Sequence, residues 1–279
     1  RRGPALRAAK GPPGDPRSGG SRETRSPTGW LSHGGAARNG ERLLTATIHD
    51  TAIVDPSAEL APDVEVGAYA FVGPQVRVGA GTRILHHATI HSHTILGEGN
   101  EIHPGAVIGG DAQDKKYVGE ECWLHVGDGN VFRESVTVNR GTGLGGGDTR
   151  IGSHCLLLAG GHVAHDCVRG NHIIIANGVQ LGGHVTVEDG AGFGGLSAVR
   201  RYVSMGRLAF IGGMTRVTSD APPYLITEGH PSRVRAVNKV GLKRAGVSEE
   251  AISWLKEAQR LLYSHKVVRR EAFELLEQR

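Results

Sequence analysis

The sequence predicts an all-β fold, a parallel β-helix wound from hexapeptide repeats, with a C-terminal α-helical domain. Three observations lead there. Eleven aliphatic residues, Ile48, Val54, Leu60, Val66, Val72, Val78, Ile84, Ile90, Leu96, Ile102 and Ile108, recur at unbroken six-residue spacing. Glycine stands at 43 of 279 residues, roughly double ordinary usage, and aromatics at only 5%. Such a chain turns many tight corners and packs small or aliphatic residues inside. After Asp220 the six-residue period gives way to apolar residues at helical spacing.

Residues 1–46 are rich in Gly, Pro, Ser and Arg without a hydrophobic period, and are expected to form a disordered basic tail. An Arg-rich, acid-poor segment also fits an organellar transit peptide. Residues 47–220 are expected to form the β-helix. In each hexapeptide the aliphatic residue fills the interior, and four residues later stands Ala, Val or Thr (Ala52, Ala58, Val64, Ala70), with Asn100 the exception. Glycine often follows the aliphatic residue, as at Gly67, Gly73, Gly79 and Gly97, and eases the bend. Three hexapeptides close a triangular coil, and coils stack as parallel strands about 4.8 Å apart.

The period is interrupted at 110–125, resumes with Val126, Phe132 and Val138, and is interrupted again at 139–149, which holds Gly143, Gly145, Gly146 and Gly147. It restarts at Ile151 and runs to Val217. Arg169 falls on an interior position, and the neighbouring Val168 is expected to turn inward in its place. The count gives roughly eight coils by strand spacing. The two interruptions are expected to be loops ejected from a rigid scaffold, where function usually sits. Residues 221–279 are expected to form the helical domain. Ser248 suits an N-cap, Glu249 and Glu250 the first turn, and Ile252, Leu255, Leu261 and Leu262 an apolar stripe. A second stripe is expected in Val267, Val268, Phe273, Leu275 and Leu276.

The net charge of +4 belongs to the tail: residues 1–47 hold eight Arg and one Lys against three acids, which leaves about −2 on 48–279. No nucleic-acid partner is expected, because a basic stripe should lie on the fold that docks. Cys122, Cys155 and Cys167 lack the spacing of a paired motif and read as buried free thiols of a reducing, cytoplasmic compartment. No run of eighteen apolar residues occurs, so no membrane span is expected.

Chemistry is concentrated in Gly161-His162-Val163-Ala164-His165-Asp166-Cys167 and in Leu181-Gly182-Gly183-His184. His165 and His184 are nineteen residues apart, nearly one coil, so they come close to stacking on one outer face. Imidazole titrates near neutrality, which suits a general base acting on a sugar hydroxyl, with Asp166 fixing the tautomer. A solvated histidine stack and a Zn²⁺ site are the alternatives.

These two motifs resemble the active-site signature of the lipid A UDP-N-acetylglucosamine acyltransferases. Gln113-Asp114-Lys115-Lys116-Tyr117, Arg133-Glu134-Ser135-Val136-Thr137 and Gly241-Leu242-Lys243-Arg244 extend the resemblance over about 48–265. It implies a left-handed coil, a homotrimer, and transfer of a 3-hydroxyacyl group from acyl carrier protein to the 3-position of UDP-N-acetylglucosamine. No cofactor or metal is implied beyond the phosphopantetheine arm of the carrier. Residue by residue, His165 is the implied base, Asp166 its helper, and the Gly183 N–H the oxyanion donor. Asp114, Lys116, His162 and His184 surround sugar and phosphates, Asn238 and Arg244 reach the nucleotide, and Gly213 marks the end of the acyl chain.

Departures from that family's pattern accompany the match. Arg200-Arg201-Tyr202 replaces His-Gln before an aromatic, so Arg201 takes the substrate-binding position with different pantetheine and acyl contacts expected. Asn139 stands for a His and Val240 for a Glu. The rivals are another hexapeptide sugar N- or O-acyltransferase and a γ-type carbonic anhydrase using His162, His165 and His184.

Overall fold

The computed structural model describes residues 30–32, 45–263 and 268–277. The expected tail lies outside them, except that Trp30–Ser32 forms a short strand antiparallel to Thr47–His49. From residue 47 the chain winds into a left-handed parallel β-helix whose three flat faces hold ten, nine and eight parallel strands, slightly more than the eight coils counted from spacing. Parallel crossovers are right-handed almost everywhere else. Here the hand is left, and from Asp63 onward the regular corners each place a residue at left-handed φ, among them Asp63, Gln75, His87, Asp166 and His184. Asp, Asn and His tolerate that region better than most residues.

Most strands are two residues long, one pointing in and one out, and coils stack in strict register, Val66 on Ile84 and Ile175 on Phe193. The inward aliphatic residues form one continuous core from Val64 to Ala221. Stacked corners approach so closely that a Cβ on Gly79 would lie 2.5 Å from the carbonyl carbon of Gly97, and one on Gly97 would lie 2.8 Å from that of Gly127. That column is why glycine follows the aliphatic residue at this edge. Asn100, the exception to the small-residue rule, is satisfied inside. Its Nδ2 donates to the carbonyls of Gly97 (2.9 Å) and Gly127 (3.0 Å), and its Oδ1 accepts from Asn130.

Arg169 corrects the expectation drawn from periodicity. Its side chain points inward at 4% exposure, and Val168 faces out at 47%. The register explains this: Val168 pairs with Thr186 and Arg169 with Val187, and a one-residue slip would flip the whole strand.

Both interruptions leave the same edge, between the second and third faces, and return to it: one runs from the strand Val107–Gly110 to Trp123–Val126, the other from Thr137–Asn139 to Asp148–Ile151. The next coil turns that same edge at residues 164–167, so the loops are stacked directly against the histidine motif.

After Asp220 the chain first forms a hairpin, Leu225–Glu228 against Arg233–Val237, which extends the first face beyond Phe210–Ile211. Three helices follow, α1 (Lys239–Arg244), α2 (Glu249–Tyr263) and α3 (Arg269–Glu277). The Ser248 hydroxyl accepts from Ala251 N–H as an N-cap should, and Ile252 and Leu242 pack under the hairpin with Leu225 and Val237. The second expected stripe is mostly outside: Val268, Phe273 and Leu275 are exposed, and Val267 lies outside the described residues.

Candidate active site

The Asp166 carboxylate is the best-satisfied charge at this edge. Its side chain is 1% exposed. It accepts from His165 Nδ1 (2.7 Å), from Thr142 N–H (2.8 Å) and from the Thr142 hydroxyl (2.8 Å). Its own N–H donates to Thr149 Oγ1 at 2.7 Å. Buried carboxylates persist only when paired this fully. The result is an imidazole whose Nδ1 faces a fixed acceptor, which puts the ring proton on Nδ1 and leaves Nε2 to accept.

His165 opens on a cavity of about 700 Å³ whose lining includes Asp114, Lys116, His162, His165, Gly183 and Arg201. Six of the residues expected to carry chemistry thus converge on one space. The Nε2 of His165 lies 3.9 Å from Asp114 Oδ2, and the Asp114 carboxyl is held below its ordinary range, chiefly by the Lys116 N–H that it accepts at 2.9 Å. Gly183 packs against the imidazole: a Cβ there would sit 2.6 Å from His165 Cε1. Its own N–H makes no hydrogen bond to any described residue, so it is a free donor beside the base.

His184 sits just beyond, its Nε2 3.5 Å from Asp166 Oδ2 and its ring edge-on to His165 at 5.2 Å. Tyr202 stacks on it at 4.4 Å with the planes 8° apart, and the Arg201 guanidinium stands 5.9 Å from the tyrosine ring. His162 is bonded through Nδ1 to Thr137 Oγ1 at 2.7 Å, and burial pushes its imidazole below the ordinary range, with the Arg169 and His165 charges acting in the same direction.

Three expected residues lie elsewhere in the chain. Gly213 occupies the edge between the first and second faces. Asn238 caps α1, its Oδ1 accepting from Gly241 N–H (3.0 Å) while its Nδ2 donates to Leu208 O (2.8 Å). Arg244 is exposed in the last turn of α1.

Thr142 was not singled out by the motifs. It follows Arg140-Gly141 in the glycine-rich interruption, where the resemblance marked the stretch by the Asn139 departure but gave Thr142 no role. The glycines have a reason: a Cβ on Gly145 would fall 2.1 Å from the Asp166 carboxyl carbon.

The comparisons with known proteins concern the chain as a whole. The family described as UDP-N-acetylglucosamine O-acyltransferase, domain 2, matches residues 220–279, and the bacterial transferase hexapeptide family matches 75–110. The acyl-[acyl-carrier-protein]–UDP-N-acetylglucosamine O-acyltransferase of Synechocystis is 48% identical over 239 residues, 86% of each chain. Its counterpart in Anaeromyxobacter is 49% identical over 82% of this chain and 90% of that one. The solved LpxA of Acinetobacter baumannii superposes with a TM-score of 0.79 at 39% identity, covering 82% of this chain and 89% of the other. The UDP-N-acetylglucosamine acyltransferase of Arabidopsis does so at 0.74 and 33%, covering 83% and 89%. With identity near one half over most of its length to relatives of that name, the chain belongs to the acyl-[acyl-carrier-protein]–UDP-N-acetylglucosamine O-acyltransferase family.

Proposed function

We infer that this site moves a 3-hydroxyacyl group from acyl carrier protein to the 3-hydroxyl of UDP-N-acetylglucosamine, the first step of lipid A biosynthesis. The observation that carries the reading is the His165–Asp166 pair facing a cavity, with the unpaired Gly183 N–H beside the imidazole. Nε2 of His165 takes the proton of the sugar hydroxyl as its oxygen attacks the thioester carbonyl. The Gly183 N–H donates to the oxyanion that forms, a preorganised donor that needs no rearrangement. Collapse breaks the carbon–sulfur bond, and the departing phosphopantetheine thiolate recovers the proton from His165. The reaction needs no other cofactor. Lys116 and Arg201 line the cavity with positive charge suited to the nucleotide's phosphates.

A homotrimer is part of the proposal. Gly213, Asn238 and Arg244 lie away from the cavity of their own chain, and a threefold arrangement brings a neighbour's residues to it. Both substrates are water-soluble, and no helix among the described residues is long and apolar enough to cross a membrane; the cytoplasm is the compartment proposed.

The test is kcat at saturating UDP-N-acetylglucosamine and acyl carrier protein for His165→Ala, His162→Ala and His184→Ala. His165→Ala is expected to lose about 10²–10⁴-fold in kcat, and the other two to raise KM as well. Near-normal kcat in His165→Ala with loss in either of the others overturns the assignment.

A second reading has one observation in its favour: ligand atoms of His165, Asp166 and His184 lie within 4.8 Å of one another, as a divalent metal requires. The carbonic anhydrase alternative named His162 in that set, but His162 is bonded to Thr137 instead. Stoichiometric zinc in the purified protein, with hydration of carbon dioxide, would favour that reading.

A further inference from the structure

Arg140 is the one cation buried between the two ejected loops, and the transfer chemistry leaves it unused. Its side chain is 8% exposed. It stands at the start of the second loop, where its backbone N–H donates to Gly110 O at 2.8 Å, just where the first loop departs. Nη1 donates to the Ser92 carbonyl (2.8 Å) and to its hydroxyl (2.6 Å), two coils below its own strand. Nη2 donates to the Asp111 carboxylate and reaches the Tyr117 hydroxyl at 3.4 Å. The neighbouring Asn139 Nδ2 holds the Asp111 carbonyl at 2.7 Å.

The two residues gripped by Nη2, Asp111 and Tyr117, bracket the segment that carries Asp114, Lys115 and Lys116. Within that segment the backbone is already tightened by Tyr117 N–H to Asp114 O (3.0 Å) and Lys116 N–H to Asp114 Oδ1 (2.9 Å). The grip therefore acts on a preformed turn rather than on a loose chain. A fixed coil, through Ser92, and both ends of that segment meet on one guanidinium.

We propose that Arg140 is a positioning residue: it straps the Asp111–Tyr117 turn across the cavity, so that Asp114 and Lys116 face His165 at a fixed distance. Its planar fork is what lets one side chain satisfy a carbonyl, a hydroxyl and a carboxylate together, and an ammonium cannot hold all of them. Misplacing a substrate-orienting group by about an ångström costs up to about a hundredfold in rate.

The proposal rests on the transferase reading for its kinetic arm and stands apart from it for its structural arm. Arg140→Ala removes the strap. Asp111→Asn weakens it from the other end, at a side chain 70% exposed, and so leaves the fold intact should Arg140→Ala fail to assemble. Hydrogen exchange of amides 111–117 is expected to quicken in both variants while the coil amides hold, and this needs no substrate. In the kinetic arm, Arg140→Ala is expected to lower kcat/KM for UDP-N-acetylglucosamine by about ten- to a hundredfold. Arg140→Lys should recover only part of it, and the loss should shrink several-fold in a Lys116→Ala background, because coupled residues are not additive. Unchanged exchange in 111–117 for both variants overturns the strap. Quickened exchange with fully additive kinetics overturns its role in placing Lys116. A wild-type protein without transfer activity, but with the expected exchange, would sink the transferase reading and leave the strap standing.

Discussion

His165 is placed by what surrounds it rather than by its own strand. One neighbour fixes its tautomer, and another, Gly183, gives the ring room by having no side chain. The second point is testable because it is purely steric. In Gly183→Ala the new methyl would meet the imidazole at 2.6 Å, so the ring or the backbone at 183 must shift, and either shift disturbs the spacing between base and oxyanion donor. A hundredfold fall in kcat, roughly, is expected with the melting temperature nearly unchanged; wild-type kcat would show that the ring has slack. His162 gives a pH expectation. Its folded pKa lies below the unfolded value, with burial the main cause. Above about pH 6.5 both states hold it neutral and it contributes no pH dependence. As pH falls below that, the unfolded chain takes up a proton that the folded chain resists, and stability drops until the folded pKa is passed. Melting temperature measured from pH 7.5 down to 5 should fall less in His162→Gln than in the parent, and identical slopes would remove the assignment.

At the scale of elements, the coil was legible because one physical rule, an aliphatic residue inward every sixth position, repeats often enough to outvote any single misfit. The histidine motif was legible for a related reason, since a period near eighteen turns sequence distance into height along the prism. What escaped are features that depend on contacts between coils. Thr142 and Arg140 sit in interruptions without period, and their value lies in side-chain reach across the stack. The hairpin at Leu225–Val237 was hidden because the Pro pair and the helices beyond it drew the reading toward a helical cap. Arg169 was misjudged because a local swap with Val168 looked cheaper than burying a cation, yet parity within a two-residue strand forbids the swap. Its cost is therefore carried by the fold: all three guanidinium nitrogens lack a protein partner, and burial depresses the group to about 10. Removing an uncompensated buried charge in favour of an apolar side chain should stabilise. Arg169→Leu is expected to gain about 1–4 kcal/mol by denaturant unfolding; a loss of stability would show that Arg169 has partners among water or ions inside the prism.

For the whole molecule, the separation between the cavity and the residues on Gly213, α1 and the prism's other edge sets a condition on assembly. If Arg244 serves the cavity of its own chain, activity is a property of single chains, and two inactive variants stay inactive when mixed. If it serves a neighbour's cavity, a copy carrying His165→Ala still offers a sound Arg244, and a copy carrying Arg244→Ala still offers a sound base. Random reassembly of the two from denaturant at equal amounts then pairs an intact base with an intact neighbour at about one quarter of the cavities, as closed threefold symmetry requires. Transfer activity approaching that fraction of wild type is the expected outcome, provided that Arg244→Ala alone is strongly impaired and that light scattering gives three chains per particle. The same mixture should return to the baseline of the two parents when dissociated to single chains. Mixing that restores nothing, from parents that each form trimers, would place Arg244 with its own chain and leave the threefold assembly without a catalytic reason.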